Sequence, residues 1–269
     1  MIGIFDSGIG GLSVVRELLK RHPDADFLYL GDTARTPYGN KSPETITRYA
    51  IEDAAFLISH GATHVIAACN TVSAVAMPTL RDAFPSVEFF DVITPAVSAA
   101  AEVAHQKKRG HVGVIGTRAT VSSGLYEKLL REAGVSEIIS DSCPLFVPLV
   151  EEGWVNRPET KRIARVYLSR IRQAQVDALI LGCTHYPFLE QVIASSLQKR
   201  VQLIDSPSAL LNLLERDCPE VLASTGGKQK YFFTDPANRV KAIAEKWLKR
   251  PIEIELAKLK TSPTSDEGE

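Results

Sequence analysis

The sequence predicts an α/β protein of two similar lobes with mainly parallel sheets and a site in the cleft between them. Two observations support this: short β-branched runs alternate with longer amphipathic segments, and the pattern partly repeats in the second half. Alternating strands and helices favour a parallel sheet covered by helices on both faces. Because such sheets bind ligands beyond the carboxyl ends of their strands, the residues that follow each strand are the first functional candidates.

Strands and helices are predicted in alternation along most of the chain. The predicted strands include Ile2–Phe5, Phe27–Leu30, His64–Ala68, Glu88–Val92, Val112–Ile115, Ala178–Leu181 and Val201–Ile204. The predicted helices include Leu12–Lys20, Pro43–Ser59, Pro158–Ala174 and Phe188–Gln198.

A weak internal repeat suggests that the two lobes are related. The segment GIFDSGIGG at residues 3–11 resembles GVIGTRAT at 113–120, and VIAACNT at 65–71 resembles LILGCTH at 179–185. The order is the same and the starts are offset by 110 (113 − 3) and 114 (179 − 65) residues. Two facing lobes of similar build explain this, and chance similarity between short strands is the alternative.

Two strand ends followed by proline mark the crossings between lobes, at Asp91–Pro95 and Asp205–Pro207, because proline there can begin a helix. We therefore expect a first lobe of residues 1–93 plus 207–255 and a second lobe of residues 94–206. Residues 256–269 are expected to form a disordered tail, since the chain from about Leu259 onward is rich in Ser, Thr, Pro, Asp and Glu.

Composition and charge favour a small-molecule ligand. The chain has 31 basic and 32 acidic residues and a net charge of −1, so no basic surface for nucleic acid or an anionic membrane is expected. The N-terminal segment lacks the features of a signal peptide, and no apolar run is long enough to cross a bilayer. Four scattered cysteines in such a chain indicate reduced thiols in the cytoplasm.

Two of the four cysteines stand out by position. Cys143 and Cys218 are interpreted as structural, because free cysteine is commonly a small buried apolar residue. Cys69 and Cys183 each end an apolar strand. Hydrogen-bonding residues follow both of them: Asn70 and Thr71 after the first, Thr184 and His185 after the second. Near a helix N-terminus a thiol pKa can fall toward neutrality, and backbone N–H groups can bind an anion. The pair is therefore predicted to be functional.

A glycine-rich turn follows Asp6 at the end of the first strand. Gly8 and Gly10 fit part of a dinucleotide-binding turn, with Asp32 near the place of a ribose-binding acid. Against this, Ser13 occupies the place of the third glycine, and Asp6 would lie beside the pyrophosphate. A turn that admits a small anionic ligand, with Asp6 directed into the cleft, fits better.

His185 is interpreted as an acid/base partner of Cys183, because histidine titrates near neutral pH. A Cys-x-His pair lacks the spacing of a four-ligand zinc site, so no metal is expected. Both side chains can enter one cleft only if the chain turns at residues 182–184. On the residues alone, Pro37-Tyr38-Gly39 is typical of an ordinary turn, and Glu151-Glu152 of a solvated helix end.

Taken together, these motifs resemble those of the glutamate racemase family within the aspartate/glutamate racemases. The matching segments are Asp6-Ser7-Gly8 with Gly10-Gly11, Asp32 with Pro37-Tyr38-Gly39, Cys69-Asn70-Thr71 with Ser73, Gly116-Thr117 with Thr120, Cys143-Pro144 with Val147-Pro148-Leu149-Val150-Glu151, and Gly182-Cys183-Thr184-His185-Tyr186-Pro187. The two cysteine motifs together are specific, whereas the glycine turn alone is not.

The resemblance implies interconversion of L- and D-glutamate without pyridoxal phosphate or metal, and a role in peptidoglycan synthesis. It assigns the proton of D-glutamate to Cys69, assisted by Asp6, and that of L-glutamate to Cys183, assisted by His185 and Glu151. It also implies a homodimer and activation of some relatives by a UDP-linked muramoyl-alanine precursor. The substrate-binding residues that it implies are Asp6, Ser7, Tyr38, Gly39, Asn70, Thr71, Thr117, Thr120, Thr184 and His185.

Three alternatives remain open at this point. An aspartate racemase or another two-cysteine racemase would use the same thiols in a differently sized pocket. A non-enzymatic binding module for an acidic ligand would need neither cysteine. A dehydrogenase would use the glycine turn to bind a nicotinamide cofactor.

Overall fold

The computed structural model describes residues 1–223 and 226–260 and contains two parallel sheets. Their strands are β1 Ile2–Asp6, β2 Phe27–Gly31, β3 His64–Ala67, β4 Glu88–Asp91, β5 Val112–Gly116, β6 Ile138–Ser142, β7 Ala178–Gly182, β8 Gln202–Asp205, β9 Gln229–Phe233 and β10 Ile254–Leu256. The first sheet has the order β10-β9-β2-β1-β3-β4, and the second has the order β6-β5-β7-β8. The strand pairs described in both sheets are parallel, which confirms the predicted fold class.

Helices connect consecutive strands and cover the sheets. They are α1 Leu12–Arg21, α2 Pro43–Ser59, α3 Asn70–Val75, α4 Met77–Ala83, α5 Ile93–His105, α6 Arg118–Ser122, α7 Leu125–Glu132, α8 Phe146–Glu151, α9 Pro158–Tyr167, α10 Ser169–Gln173, α11 Glu190–Ser195, α12 Ser206–Asp217 and α13 Asn238–Leu248. Short 3₁₀ turns lie at Tyr38–Asn40, Tyr186–Leu189 and Pro219–Leu222. None of the helices within the described ranges is long and apolar enough to span a membrane.

The chain passes from one sheet to the other at the two strand–proline corners. Asp91 accepts hydrogen bonds from the first N–H groups of α5, and Asp205 caps α12 by accepting from the N–H of Ser208 at 2.9 Å. Such caps satisfy N–H groups that have no partner inside the helix. Strands from residues 2–91 and 229–256 form the first sheet, and strands from residues 112–205 form the second. The lobe boundaries themselves stay a prediction.

Three strands were absent from the prediction, and two predicted helices differ from the structure by more than one residue. The edge strand β6, IISDS, is only partly buried and half polar, and β9 and β10 gave no clear alternating pattern. The helix predicted at 158–174 is two helices, α9 and α10, separated at Leu168. The helix predicted at 188–198 begins as a 3₁₀ turn, and only Glu190–Ser195 is α-helical.

The ordered chain extends beyond the predicted start of the tail. Leu256 ends β10, and Ala257 is buried and donates its N–H to the carbonyl of Phe233 at 2.9 Å. Apolar contact with the first-lobe core places these residues in the fold, so a tail beginning at residue 256 is wrong. Residues 261–269, the rest of the predicted tail, lie outside the described residues.

Candidate active site

A small cavity lies between the two sheets, at the carboxyl ends of β1, β3, β5 and β7. Its volume is about 20 Å³, which is room for one water molecule. The lining residues come from both lobes: Ser7, Thr36, Pro37, Tyr38, Gly39, Cys69, Asn70, Thr71, Thr117, Val147, Cys183, Thr184 and His185. In this arrangement the cavity is too small to hold an amino acid.

Both predicted thiols open into this cavity. Cys69 follows β3 and immediately precedes α3, whereas Cys183 follows β7 in the other lobe. Each is about nineteen-twentieths buried. Cys143 is fully buried in the core, and Cys218 is partly buried against it, as expected for structural cysteines. The topology therefore selects the same two cysteines that the sequence selected.

Cys69 is a protonated thiol. Its Sγ donates to the hydroxyl of Ser7 at 3.5 Å. Burial, with the negative charge of Asp6 second, raises the pKa of Cys69 to about 12. The expectation that a strand end beside a helix would lower this pKa is wrong, because removal from water outweighs the few N–H groups of a short helix.

Asp6 lies behind the cavity wall. It is fully buried at the end of β1, where its carboxylate accepts from the N–H of Gly8 at 3.0 Å and the hydroxyl of Thr184 at 3.3 Å. Burial raises the pKa of Asp6, and the charge of His185 opposes that rise. Asp6 bonds to Thr184 and is not among the residues that line the cavity, and its role as a substrate binder stays a prediction.

His185 lies beside the second thiol. Its Nδ1 is 3.9 Å from the Sγ of Cys183, and its Nε2 is 2.9 Å from a carboxylate oxygen of Glu151 at the end of α8. Burial opposes protonation, but hydrogen bonding and charge from Cys183 and Glu151 raise the pKa of His185 to about 10. The helical backbone of His185 provides the predicted turn after β7 and brings both side chains into the cavity.

Three threonine hydroxyls meet across the cleft. Thr71 of the first lobe lies 3.0 Å from Thr117 and 3.3 Å from Thr120 of the second lobe, and the last two are 2.9 Å apart. Thr71 and Thr117 line the cavity, whereas Thr120 lies behind them and is 1% exposed. Thr120 is therefore placed to orient the other two hydroxyls.

Tyr38 lines the cavity, and its hydroxyl is bonded inside the first lobe. Its ring is fully buried, and its hydroxyl lies within hydrogen-bond distance of the carboxylates of Asp32 and Asp53, 2.9 Å from the latter, and its one proton is shared between them. Arg35 forms ion pairs with these same two carboxylates. Tyr38 and Gly39 both line the cavity, while the tyrosine hydroxyl is used inside the first lobe.

Two glycines allow the lobes to approach closely. A Cβ on Gly39 would lie 2.6 Å from the Cβ of Thr117, and a Cβ on Gly10 would lie 2.2 Å from the hydroxyl oxygen of Thr184. Real Cβ atoms do not approach other atoms so closely, so glycine is required at both positions for this closed arrangement.

Three lining residues were absent from the predicted site: Thr36, Pro37 and Val147. Pro37 was part of a recognised motif, and Thr36 precedes it directly. Val147 also belongs to a matching segment, but its residue type gave no signal, because an apolar residue near a helix start is indistinguishable from core. Glu151 lies outside this cavity, in an adjoining groove of about 500 Å³ that shares Val147 and Pro37 with it.

The chain is similar to known racemases over most of its length. The family model described as Asp/Glu/Hydantoin racemase matches residues 10–214. The glutamate racemase of Geobacter metallireducens is 44% identical over 239 residues, 87% of each chain. The structure of glutamate racemase from Francisella tularensis in complex with D-glutamate superposes with a TM-score of 0.86 at 36% identity, over 97% of this chain and 98% of that one.

A more distant structure contains a second ligand. Escherichia coli glutamate racemase in complex with L-glutamate and the activator UDP-MurNAc-Ala has a TM-score of 0.74 and 27% identity, over 91% of this chain and 94% of that one.

Proposed function

The chain belongs to the Asp/Glu/Hydantoin racemase family and racemises glutamate, and we propose that it does so with Cys69 and Cys183 acting on opposite faces of the substrate. The observation that carries this proposal is that both thiols, one from each lobe, open into one cavity.

The reaction requires a base on one face of Cα and an acid on the other. A thiolate removes the Cα proton, the electron pair of the broken C–H bond stays on the substrate, and the opposite thiol gives its proton to the other face. The two sulfurs end with exchanged protonation states. A positioned acid or base contributes only about 10²–10⁴-fold, so hydrogen-bond donors that stabilise the carbanion supply much of the remainder.

The two thiols have different surroundings in the substrate-free enzyme. Cys69 holds its proton, since burial raises its pKa to about 12, and so serves as the acid. Cys183 lies beside His185, whose pKa of about 10 keeps the imidazole protonated near neutral pH and places a positive charge next to this sulfur. By the family resemblance, Cys183 removes the proton of L-glutamate while Cys69 acts as the acid. The two roles are exchanged when D-glutamate is the substrate.

The remaining cavity groups suit a substrate with two carboxylates. They are neutral hydroxyls, an amide and backbone N–H groups from Ser7, Gly39, Asn70, Thr71, Thr117 and Thr184. Neutral donors bind carboxylates without adding a positive charge to the one that His185 already places beside Cys183. Closure of the lobes removes water, which strengthens these interactions.

Single cysteine variants test the two-thiol mechanism. We expect Cys69→Ala and Cys183→Ala each to lower racemisation by at least about 10³-fold, measured by polarimetry and by deuterium incorporation at Cα in D₂O. The matched control, Cys218→Ala, removes a cysteine distant from the cavity and is expected to retain activity. Retained racemisation in either cavity variant would contradict the mechanism, and faster turnover of aspartate than glutamate would contradict the substrate.

We further propose that the enzyme acts in the cytoplasm as a homodimer and supplies D-glutamate for peptidoglycan. The four free cysteines suit a reducing compartment. Light scattering of the purified protein tests the dimer. Activation by a UDP-linked muramoyl-alanine precursor, the activator bound to the Escherichia coli enzyme, is tested by measuring kcat with and without it.

A further inference from the structure

Tyr126 forms a hydrogen bond across the interface between the two lobes. It lies near the start of α7 in the second lobe, where its ring is buried in that lobe's apolar core. Its hydroxyl donates to the Oδ1 of Asn70 at 2.7 Å. Because Asn70 directly follows Cys69 and begins α3, this bond joins the lobes one residue from a catalytic thiol.

The same ring lies against the backbone that precedes the other thiol. A Cβ on Gly182 would lie 3.1 Å from Cε2 of Tyr126 and 2.8 Å from the carbonyl of Ile115. Because Gly182 has no side chain, the Tyr126 ring and β5 can pack close to the backbone at this position. Tyr126 thus contacts the residue before Cys183 with its ring and the residue after Cys69 with its hydroxyl.

The bond determines which end of the Asn70 amide faces the cavity. Oδ1 accepts from Tyr126 and also lies 3.3 Å from the hydroxyl of Ser206, at the start of α12. Nδ2 is buried and has no protein partner among the residues that the structure describes. Asn70 is 2% exposed and lines the cavity. A buried donor without an acceptor is unfavourable, so this N–H pair is placed for an acceptor on a ligand.

We propose that Tyr126 is a positioning residue that holds the Asn70 amide with its N–H groups toward a substrate carboxylate. This inference rests on the proposed function, because the substrate glutamate is the molecule whose carboxylate would accept the hydrogen bond from Asn70. Without the tyrosine hydroxyl, the amide can rotate and present its oxygen to the carboxylate, which repels it. The effect is therefore expected on substrate binding more than on proton transfer.

The test is Tyr126→Phe, which removes only the hydroxyl. We expect KM for glutamate to rise about tenfold, the size of one hydrogen bond to a charged group, while kcat changes less than about threefold on the same scale. The control is Tyr231→Phe in β9, whose buried hydroxyl has no partner in the described chain, and it is expected to leave both constants unchanged. An unchanged KM in Tyr126→Phe would overturn the proposal.

A double-mutant cycle tests whether Tyr126 acts through Asn70. In an Asn70→Ala background, Tyr126→Phe is expected to cause no further rise in KM, whereas multiplied effects would indicate independent roles and overturn the proposal. If Tyr126→Phe lowers the melting temperature too far for assay, KM is measured for both variants and the unaltered enzyme at a lower temperature, and there an unchanged KM in Tyr126→Phe overturns the proposal. Turnover of glutamate by the unaltered enzyme is measured in parallel. If the unaltered enzyme does not racemise glutamate, the proposed function fails, and that result is distinct from a failure of the role of Tyr126.

Discussion

The Nε2 of His185 lies 2.9 Å from the carboxylate of Glu151, a residue 34 positions earlier in the chain. This pair gives the second thiol a cationic neighbour. The first thiol instead lies in a buried position near the carboxylate of Asp6, and burial, followed by that negative charge, raises the pKa of Cys69. Two strand ends of similar sequence thus place their thiols beside different charged groups.

Glu151→Gln is expected to move the alkaline limb of L-glutamate turnover to lower pH by about one unit, because a nearby carboxylate favours the protonated imidazole. The pKa of His185 in the folded enzyme is about 10, above its usual 6.5. The imidazolium and the stability it gives are therefore complete below pH 6.5 and lost as the pH rises toward 10. The measurement is kcat/KM for L-glutamate between pH 6 and 11.

Glu152→Gln is the matched control for that experiment. Glu152 is the neighbouring acid, more than half exposed and paired with Arg239 at the surface. Its removal is expected to leave the pH profile in place. Equal shifts in the two variants would show that general surface charge, rather than the bond to His185, determines the pH of the alkaline limb.

Asp6→Asn is expected to speed alkylation of Cys69 while slowing racemisation of D-glutamate by about 10²-fold. Loss of the negative charge lowers the pKa of Cys69, so more thiolate is present at pH 8. Iodoacetamide labelling followed by peptide mass spectrometry measures the rate. Asp177→Asn alters a buried aspartate just before β7, at the opposite end of that strand from the cavity, and is the control. An unchanged alkylation rate in Asp6→Asn would argue against electrostatic coupling.

Tyr38→Phe is expected to lower the free energy of unfolding by about 1–3 kcal/mol, because buried carboxylates lose a hydrogen-bond donor. Asp32 and Asp53 are both fully buried and share this hydroxyl. We expect KM for glutamate to change less than twofold on the same reasoning, about the limit of assay precision. Urea unfolding and steady-state kinetics are the measurements. Tyr49→Phe keeps the ring over Arg35 and controls for loss of a tyrosine hydroxyl nearby. A large rise in KM for Tyr38→Phe with an unchanged free energy of unfolding would indicate that the hydroxyl binds the substrate.

Gly10→Ala is expected to lower kcat/KM by at least about 100-fold, since misplacement of catalytic groups by about 1 Å has effects of that size. The added methyl would collide with the hydroxyl of Thr184 and the ring of His185, which are held by the other lobe. Gly8→Ala brings a methyl only to 3.0 Å from the hydroxyl of Thr36 and is the milder comparison. Similar losses in both variants would show that lobe closure is not the cause.

The sequence was most informative where a local pattern determined local structure. The predicted helix at Pro43–Ser59 has the observed bounds, since Ser42 caps it and Pro43 fits its first turn. β6 was missed because an edge strand need not be apolar on both faces. Val147 was missed because nothing in its own neighbourhood distinguishes a cavity wall from a core.

The sequence by itself determined the α/β class, the two strand-end thiols and their hydrogen-bonding neighbours, because these follow from periodicity and residue type along a few positions. Only the tertiary structure decided that burial raises the pKa of Cys69, that the Tyr38 hydroxyl is used inside the first lobe, and that Tyr126 bonds to Asn70. The reason is physical. Desolvation and hydrogen-bond pairing depend on which atoms the fold brings together: Tyr126 meets Asn70 across the cleft from 56 positions away, and Tyr38 meets Asp53 within one lobe from 15 positions away.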